Sequence, residues 1–435
     1  MKFYNRETDI QVLHNARDMA EQSAQMTFIM GRRRIGKTKL ILNSFDDKLV
    51  YWFVSKKSEA LLCTEFLEQL KASLNIPVFG TFHRFSELFE LVLNHACTHS
   101  FTLSIDEFQN FFAINPAIYS DIQDLWDRYR DRTKLNLILS GSIYSLMNRI
   151  FENAKEPLYG RANRKLLLKS FKIKTLQTIL NDTAGPIDAK SMLAFYAITG
   201  GVAKYVELLV EHQAFSFNAM LDLMLCHGSI FIHEGRDVLI EEFGKDHAQY
   251  FSILSLIASS KTSRSEIESI LGKSVGGHLE RLEHDFGIIS VVKPILSKPL
   301  GKTQKYRIED HFLNFWFRFI YKHQSAIEIE NYDYVKAIIQ ADWNTFVGRV
   351  LERYFLDLFK ESKQYSLIGQ YWERNNQNEL DLVALNEREK RAVIAEVKLN
   401  PKRLNKSALS KKAARLITLL PDYEITYQGL SLDDL

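Results

Sequence analysis

Eight consecutive residues constrain this chain more than any other feature: Gly31-Arg-Arg-Arg-Ile-Gly36-Lys37-Thr38. They fit the pattern GxxxxGK[ST] at every fixed position. The short apolar run 26–30 (MTFIM) precedes them, and the helical stretch 37–45 (KTKLILNSF) follows. A strand that turns through glycines into a helix makes an anion cradle. The glycines let backbone N–H groups point inward, and the positive end of the helix faces the same spot. Lys37 is then placed for β- and γ-phosphates, and Thr38 for a magnesium ion. The plain alternative is a glycine-bounded helix start that holds no ligand.

The surrounding pattern agrees with the cradle. Strands are expected at 26–30, 49–54, 101–105, 135–139 and 165–171, with helices such as 59–74 and 117–130 between them. Alternation of this kind predicts an α/β fold with a mostly parallel, doubly wound sheet. The strand 101–105 runs into Asp106-Glu107. Two adjacent carboxylates at a strand end form the expected pair for metal and water. Asp106 would hold magnesium, and Glu107 would orient or deprotonate the attacking water. Ser140 ends the strand 135–139 and is placed to sense a γ-phosphate. Arg161, in PLYGR, would stabilise transition-state charge in its own subunit or a neighbour's; a plain surface arginine is the alternative.

Beyond residue 172 the periodicity is helical to about 245. The order 248–259, 264–271, 274–284 (helices), 287–293 (strand), a basic turn 297–305 and the strand-like KYRI predicts a winged helix. Its third helix carries Glu280, Glu283 and Asp285 against Arg281, a poor face for phosphates. The wing is more basic, with Lys298, Lys302, Lys305 and Arg307. A protein-docking module therefore weighs against a DNA reader there.

The last segment places a helix at 341–361 and a hairpin of 379–385 and 391–398. Residues i and i+2 of a strand share a face, so Glu396 and Lys398 point together and Asp381 can reach them. Two carboxylates can ligate a divalent cation, and a lysine beside them can act on water at a phosphate. Glu352 is a further candidate ligand, and Glu379 shares the face of Asp381. The alternative is an edge hairpin in which Glu396 and Lys398 simply pair. Lys398 to Arg415 holds seven Lys or Arg and no acid, which suits a nucleic-acid backbone or a solvated helix face.

Composition excludes several classes. The 435 residues carry 56 Lys+Arg and 53 Asp+Glu, so net charge offers no global case for nucleic acid. The longest apolar run, Met192 to Ile198, is far short of the ~20 residues of a spanning helix. No signal-peptide core follows the N-terminus. Three cysteines with no CxxC pair predict free thiols in a reducing cytoplasm.

The combination FYNRETDI, GRRRIGKT, SIDEF, SGS and PLYGR resembles the archaeal-type P-loop ATPases, relatives of signal-transduction ATPases and the AAA+ class. The resemblance covers about 1–320. It implies a P-loop NTPase parallel-sheet domain (1–172), a helical lid (173–245) and a winged helix (246–325), with ATP and Mg²⁺ as cofactors. The implied nucleotide contacts are Gly31, Arg32, Arg33, Arg34, Ile35, Gly36, Lys37, Thr38, Lys39, Asp106 and Ser140. Thr38 and Asp106 would serve the metal, and Lys37, Glu107 and Arg161 the chemistry. Within the last domain, 326–435, the stretch of about 340–400, through ELDLVA and IAEVK, resembles the PD-(D/E)xK nuclease-like, restriction-endonuclease-like domains. That resemblance makes Glu352, Asp381 and Glu396 metal ligands and Lys398 catalytic, although Leu380 stands where the family has proline. The expectation is an ATP-driven switch coupled to a nuclease-like tail acting on DNA or RNA, in an oligomer or alone. The alternative is an ATP-dependent DNA-binding regulator, or a protein-interaction scaffold, with an inactive tail.

Overall fold

The computed structural model describes residues 2–45, 49–76, 80–298 and 303–435. They form two compact units, 2–170 and 171–435.

The first unit is built on strands β1 (Gln25–Met30), β2 (Leu49–Phe53), β3 (Phe101–Asp106), β4 (Leu135–Gly141) and β5 (Arg164–Leu167), all parallel, in the order β2-β3-β4-β1-β5. Every residue of β1, β3 and β4 is buried. Continuous apolar runs are what a sheet covered on both faces requires. Helices Glu59–Leu74, Phe85–Ala96 and Ile118–Tyr129 supply apolar side chains to one core, where Trp52 stacks on Phe66 at 4.7 Å between ring centroids. Helices Glu7–Ala20 and Lys37–Ser44 bury Leu13, Leu40 and Ile41 in the other. Each such side chain contributes roughly 1.5–3 kcal/mol on leaving water. The expected strands match closely, except that 165–171 shortens to β5.

The second unit starts with helices, including Ile173–Ala184, Ala189–Thr199 and Ala203–Glu211. The longest apolar run falls inside Ala189–Thr199 and is buried there. The winged-helix order is present: helices His247–Ala258, Arg264–Leu271 and Gly276–Glu280, then β6 (Ile289–Val292) paired antiparallel with β7 (Lys305–Ile308). Ser263 caps the second helix in a reciprocal capping box with Glu266. The stretch 312–320 is core, and Trp316 donates to the Ile232 carbonyl at 2.9 Å.

A 31-residue helix, Tyr332–Ser362, leads into β8 (Leu367–Tyr371), β9 (Leu380–Asn386), β10 (Arg391–Val397) and β11 (Glu424–Leu430). The sheet order is β11-β10-β9-β8, antiparallel except for the parallel β10–β11 pair. The hairpin β9–β10 is as expected. Strands β8 and β11 widen it into a four-stranded sheet, so it is no isolated edge hairpin. Among the described residues no helix is long and apolar enough to cross a membrane.

Candidate functional site

The loop 31–38 closes as its glycines require. Gly36 caps the helix Lys37–Ser44 at φ 95°, a backbone region that side chains disfavour. A Cβ on Gly31 would sit 2.9 Å from the Leu168 carbonyl oxygen. Buried Arg6 ties the loop to the sheet, donating to the carbonyls of Ile35 (3.4 Å) and Lys169 (2.8 Å). Burial depresses the guanidinium's proton affinity, partly offset by Asp9. Lys37 Nζ lies inside the loop and donates to the carbonyls of Gly31 (2.7 Å) and Arg32 (3.1 Å).

Sheet order converges the rest. Because β4 lies between β1 and β3, its C-terminal end sits beside the acidic pair. Asp106 Oδ2 accepts from Thr38 Oγ1 at 2.8 Å and from the Tyr51 hydroxyl at 2.6 Å. Its Oδ1 accepts from Ser140 Oγ at 2.6 Å and from the Glu107 N–H at 2.9 Å. Burial, then the Asp106 charge, pushes the Tyr51 phenol well above its usual range. Glu107 sits at φ 53°, and its Oε2 accepts from Gln109 Nε2 and from Ser142 Oγ at 2.7 Å. The residues present fit a magnesium ion: a hydroxyl and a carboxylate oxygen, hard ligands, meet at the buried strand end beside the lysine loop.

Thus Lys37, Thr38, Asp106 and Glu107 come together. Ser140 is there too, with its hydroxyl directed onto Asp106. Tyr51, Gln109 and Ser142 are members that sequence reasoning missed; the SGS run held the one available signal, for Ser142. Arg161 is elsewhere engaged. It grips Asp127 through Nη2 (2.8 Å) and Nε, and donates to the carbonyls of Pro157 (2.6 Å) and Tyr159. None of these bonds reaches the loop 31–38.

In the second unit the β9–β10 ladder reaches Ala395↔Leu382. Beyond it the Val397 N–H goes to Asp381 Oδ2 at 2.8 Å. Lys398 Nζ reaches Asp381 at 3.2 Å and Glu396 at 3.6 Å. Lys412, from the helix Lys406–Lys412, pairs with Glu396 at 2.9 Å. Asp381 and Glu396 are both 7 % exposed. Burial raises the Asp381 carboxyl, against the pull of the Val397 N–H and Lys398. Burial raises Glu396 as well, but Lys412 and Lys398 outweigh it and hold the group below its usual range. Lys398 is raised, since Asp381 and Glu396 outweigh the effect of burial. Glu352, on the long helix, accepts from Gln370 at 3.2 Å; burial and the nearby Asp381 and Glu379 push it up to about 8.

Asp381, Glu396 and Lys398 therefore do gather. However, Glu396 carries two ammonium partners, Glu379 pairs with Lys305 at 2.8 Å, and among the described residues no group of three His, Cys, Asp or Glu is arranged to hold a metal. The basic run also divides. Lys398 and Lys412 turn onto acids, whereas Lys402, Arg403, Lys406 and Lys411 are exposed. In the segment expected to be a winged helix, Arg281 pairs with Asp246 and Asp285, and Glu280 stays exposed. Lys298 is exposed, Lys305 and Arg307 face carboxylates, and Lys302 lies outside the described residues.

Comparisons with known proteins agree with the first unit. Residues 3–209 match a family described as an ATPase domain predominantly from Archaea, and 316–415 match one described as archaeal and bacterial proteins of unknown function. An uncharacterized protein of Methanocaldococcus jannaschii is 29 % identical over 407 residues, covering 91 % of this chain and 87 % of its own length. A Walker-type ATPase of Pyrococcus abyssi superposes with a TM-score of 0.55 at 16 % identity, covering 73 % of this chain and 96 % of its own. The Aeropyrum pernix ORC2 protein gives a TM-score of 0.49 at 13 % identity, covering 76 % and 95 %.

Proposed function

We propose, for a chain that carries an ATPase domain of the archaeal type, that this domain hydrolyses ATP through Lys37, Thr38, Asp106 and Glu107 and that the cycle switches the C-terminal module. The observation that carries the reading is the convergence of Thr38 and Asp106 at 2.8 Å, with Glu107 one residue on. Lys37 and the inward backbone N–H groups bind the phosphates. Thr38 and Asp106 would hold magnesium, which supplies neutralisation of charge on the phosphate oxygens. Glu107, oriented by Gln109 and Ser142, positions the attacking water and accepts its proton. Phosphate release from ATP, compared among the native chain, Lys37→Ala and Glu107→Gln, tests this; equal rates in all three contradict it.

For the C-terminal module the reading is cleavage of a DNA or RNA backbone, supported by the buried Asp381 and Glu396 beside Lys398. Exposed Lys402, Arg403, Lys406 and Lys411 would hold phosphates without reading sequence. A second reading has its own support. With Lys412 and Lys398 on Glu396, the module serves an ATP-dependent regulator or scaffold without cutting. In either reading the helices 173–245 act as the lid and the winged helix 246–325 as the relay or protein-docking surface. Arg161, held by Asp127, would act on a neighbouring subunit in an oligomer.

A further inference from the structure

Within residues 171–435 lies a cavity of about 360 Å³, walled by the β6–β7 pair, the helix His247–Ala258 and the long helix Tyr332–Ser362. Five cationic side chains line it, Lys305, Arg307, Arg318, Arg349 and Arg353, against the carboxylates Glu352 and Glu379. Two of the arginines are structural. Arg318 grips Asp342 at 2.6 Å and donates to the Ala258 carbonyl at 2.9 Å. Arg353 donates to the Ile308 carbonyl at 3.0 Å and pairs with Glu309 at 3.0 Å.

The other two are under-used. Arg349 is exposed at the cavity and donates to the Ser260 hydroxyl; its charge acts on Glu352 of the same wall, but among the described residues no carboxylate comes within ion-pair distance of it. Arg307 reaches Glu309 through Nη2 at 3.1 Å, but its Nε is buried with no hydrogen-bond partner. A buried donor left unmet is costly, more so when the group is charged. Ser260 and Asn314 add neutral hydrogen-bonding groups to the same wall.

We propose that this cavity binds a small phosphate-bearing ligand, with Arg349 and Arg307 as its contacting residues. Guanidinium forks match phosphate oxygens two at a time. A phosphate dianion balances more positive charge than a single carboxylate, and the wall carries five cationic side chains against two carboxylates. The volume is that of a small-molecule pocket, large enough for a nucleoside monophosphate and too small for a folded partner. The site is composed wholly of residues 257–379 and shares no residue with the loop 31–38; Glu352 and Glu379 line it and also neighbour Asp381, and binding of a small anion needs neither ATP hydrolysis nor backbone cleavage.

Calorimetric titration of the full chain with inorganic phosphate and with AMP tests it, on the native protein and on Lys37→Ala, Arg349→Ala, Arg349→Lys and Arg307→Gln. Saturable binding is expected that survives Lys37→Ala and weakens tenfold or more in Arg349→Ala and Arg307→Gln. Arg349→Lys should fall between, because it keeps the charge and loses the fork. Tighter binding of AMP identifies a phosphomonoester, and tighter binding of phosphate the free anion; either supports the site. Should Arg349→Ala unfold, native-like affinity in both Arg349→Lys and Arg307→Gln overturns the proposal. So does an absence of saturable heat, a signal lost in Lys37→Ala alone, or binding of a single-stranded oligonucleotide without binding of either small anion.

Discussion

The Thr38 hydroxyl donates to the Asp106 carboxylate across 2.8 Å, although the two residues are 68 positions apart. Thr38 lies on the helix that follows β1, Asp106 ends β3, and β1 and β3 are not neighbours in the sheet. The contact exists because β4 lies between β1 and β3 and ends level with both, adding Ser140 to the same carboxylate. Asp106 thus receives donors from the helix after β1, from β2, from β4 and from its own successor. Such a carboxylate is fixed in orientation before any ligand arrives, which is the condition for a preorganised site.

Glu107 is the residue whose loss separates binding from turnover. Glu107→Gln keeps the side-chain shape and removes the proton acceptor. Nucleotide affinity should stay within about threefold of native while kcat falls roughly 10²–10⁴-fold. Equilibrium binding and steady-state phosphate release on the same preparation check this.

Arg6 is a positioning residue for the loop. Arg6→Ala leaves the carbonyls of Ile35 and Lys169 without this donor. A loss of roughly 2–3 kcal/mol is expected, with a fall in Tm of about 4–10 °C. Arg6→Lys should restore less than half, because one ammonium cannot span both carbonyls. Thermal unfolding followed by circular dichroism measures it.

The second unit should carry an acid-sensitive step at Glu309. Burial works to raise this carboxyl, but Arg353 and Arg307 outweigh it and hold it down at about 2. Its folded pKa lies below its unfolded one of 4.5, so its stabilisation is present above pH 4.5 and is lost as pH falls toward 2. Its side chain is 37 % exposed, which screens the pairs, so roughly 1–2 kcal/mol is expected. Tm measured from pH 6 to pH 3 should fall more steeply in the native chain than in Glu309→Gln.

Much of this was legible in the sequence, and the gaps have physical causes. The buried strands β1, β3 and β4 announce themselves as apolar runs ending in glycine or acid. Strands β8 (LIGQY) and β11 (EITYQGL) do not, since they lie at the sheet edges, only partly buried, with a glycine and a glutamine inside each. Tyr51 joins the site through a strand order that departs from chain order, so no local spacing reveals it, whereas Gln109 lies two residues beyond Glu107 and Ser142 within the SGS run. The run of basic residues 398–415 looked uniform. Lys398 and Lys412 face inward because sheet and helix turn them onto Asp381 and Glu396.

The C-terminal module separates its two readings by one comparison. If it cuts nucleic acid, cleavage in Mg²⁺ or Mn²⁺ should fall at least 100-fold in Asp381→Ala and in Lys398→Ala. Gel analysis of a labelled duplex and a labelled single strand checks it. Equal cleavage by native and variant chains would assign any activity to a contaminant and favour the regulator or scaffold.

Isothermal titration of the native chain and of Lys37→Ala with ATP in the presence of Mg²⁺ tests the central claim most directly. The account predicts saturable binding by the native chain near one nucleotide per protomer, weakened at least 100-fold in Lys37→Ala with the fold intact by circular dichroism. A folded native chain that gives no binding heat with ATP, or a Lys37→Ala chain that binds as tightly as the native one, would contradict it.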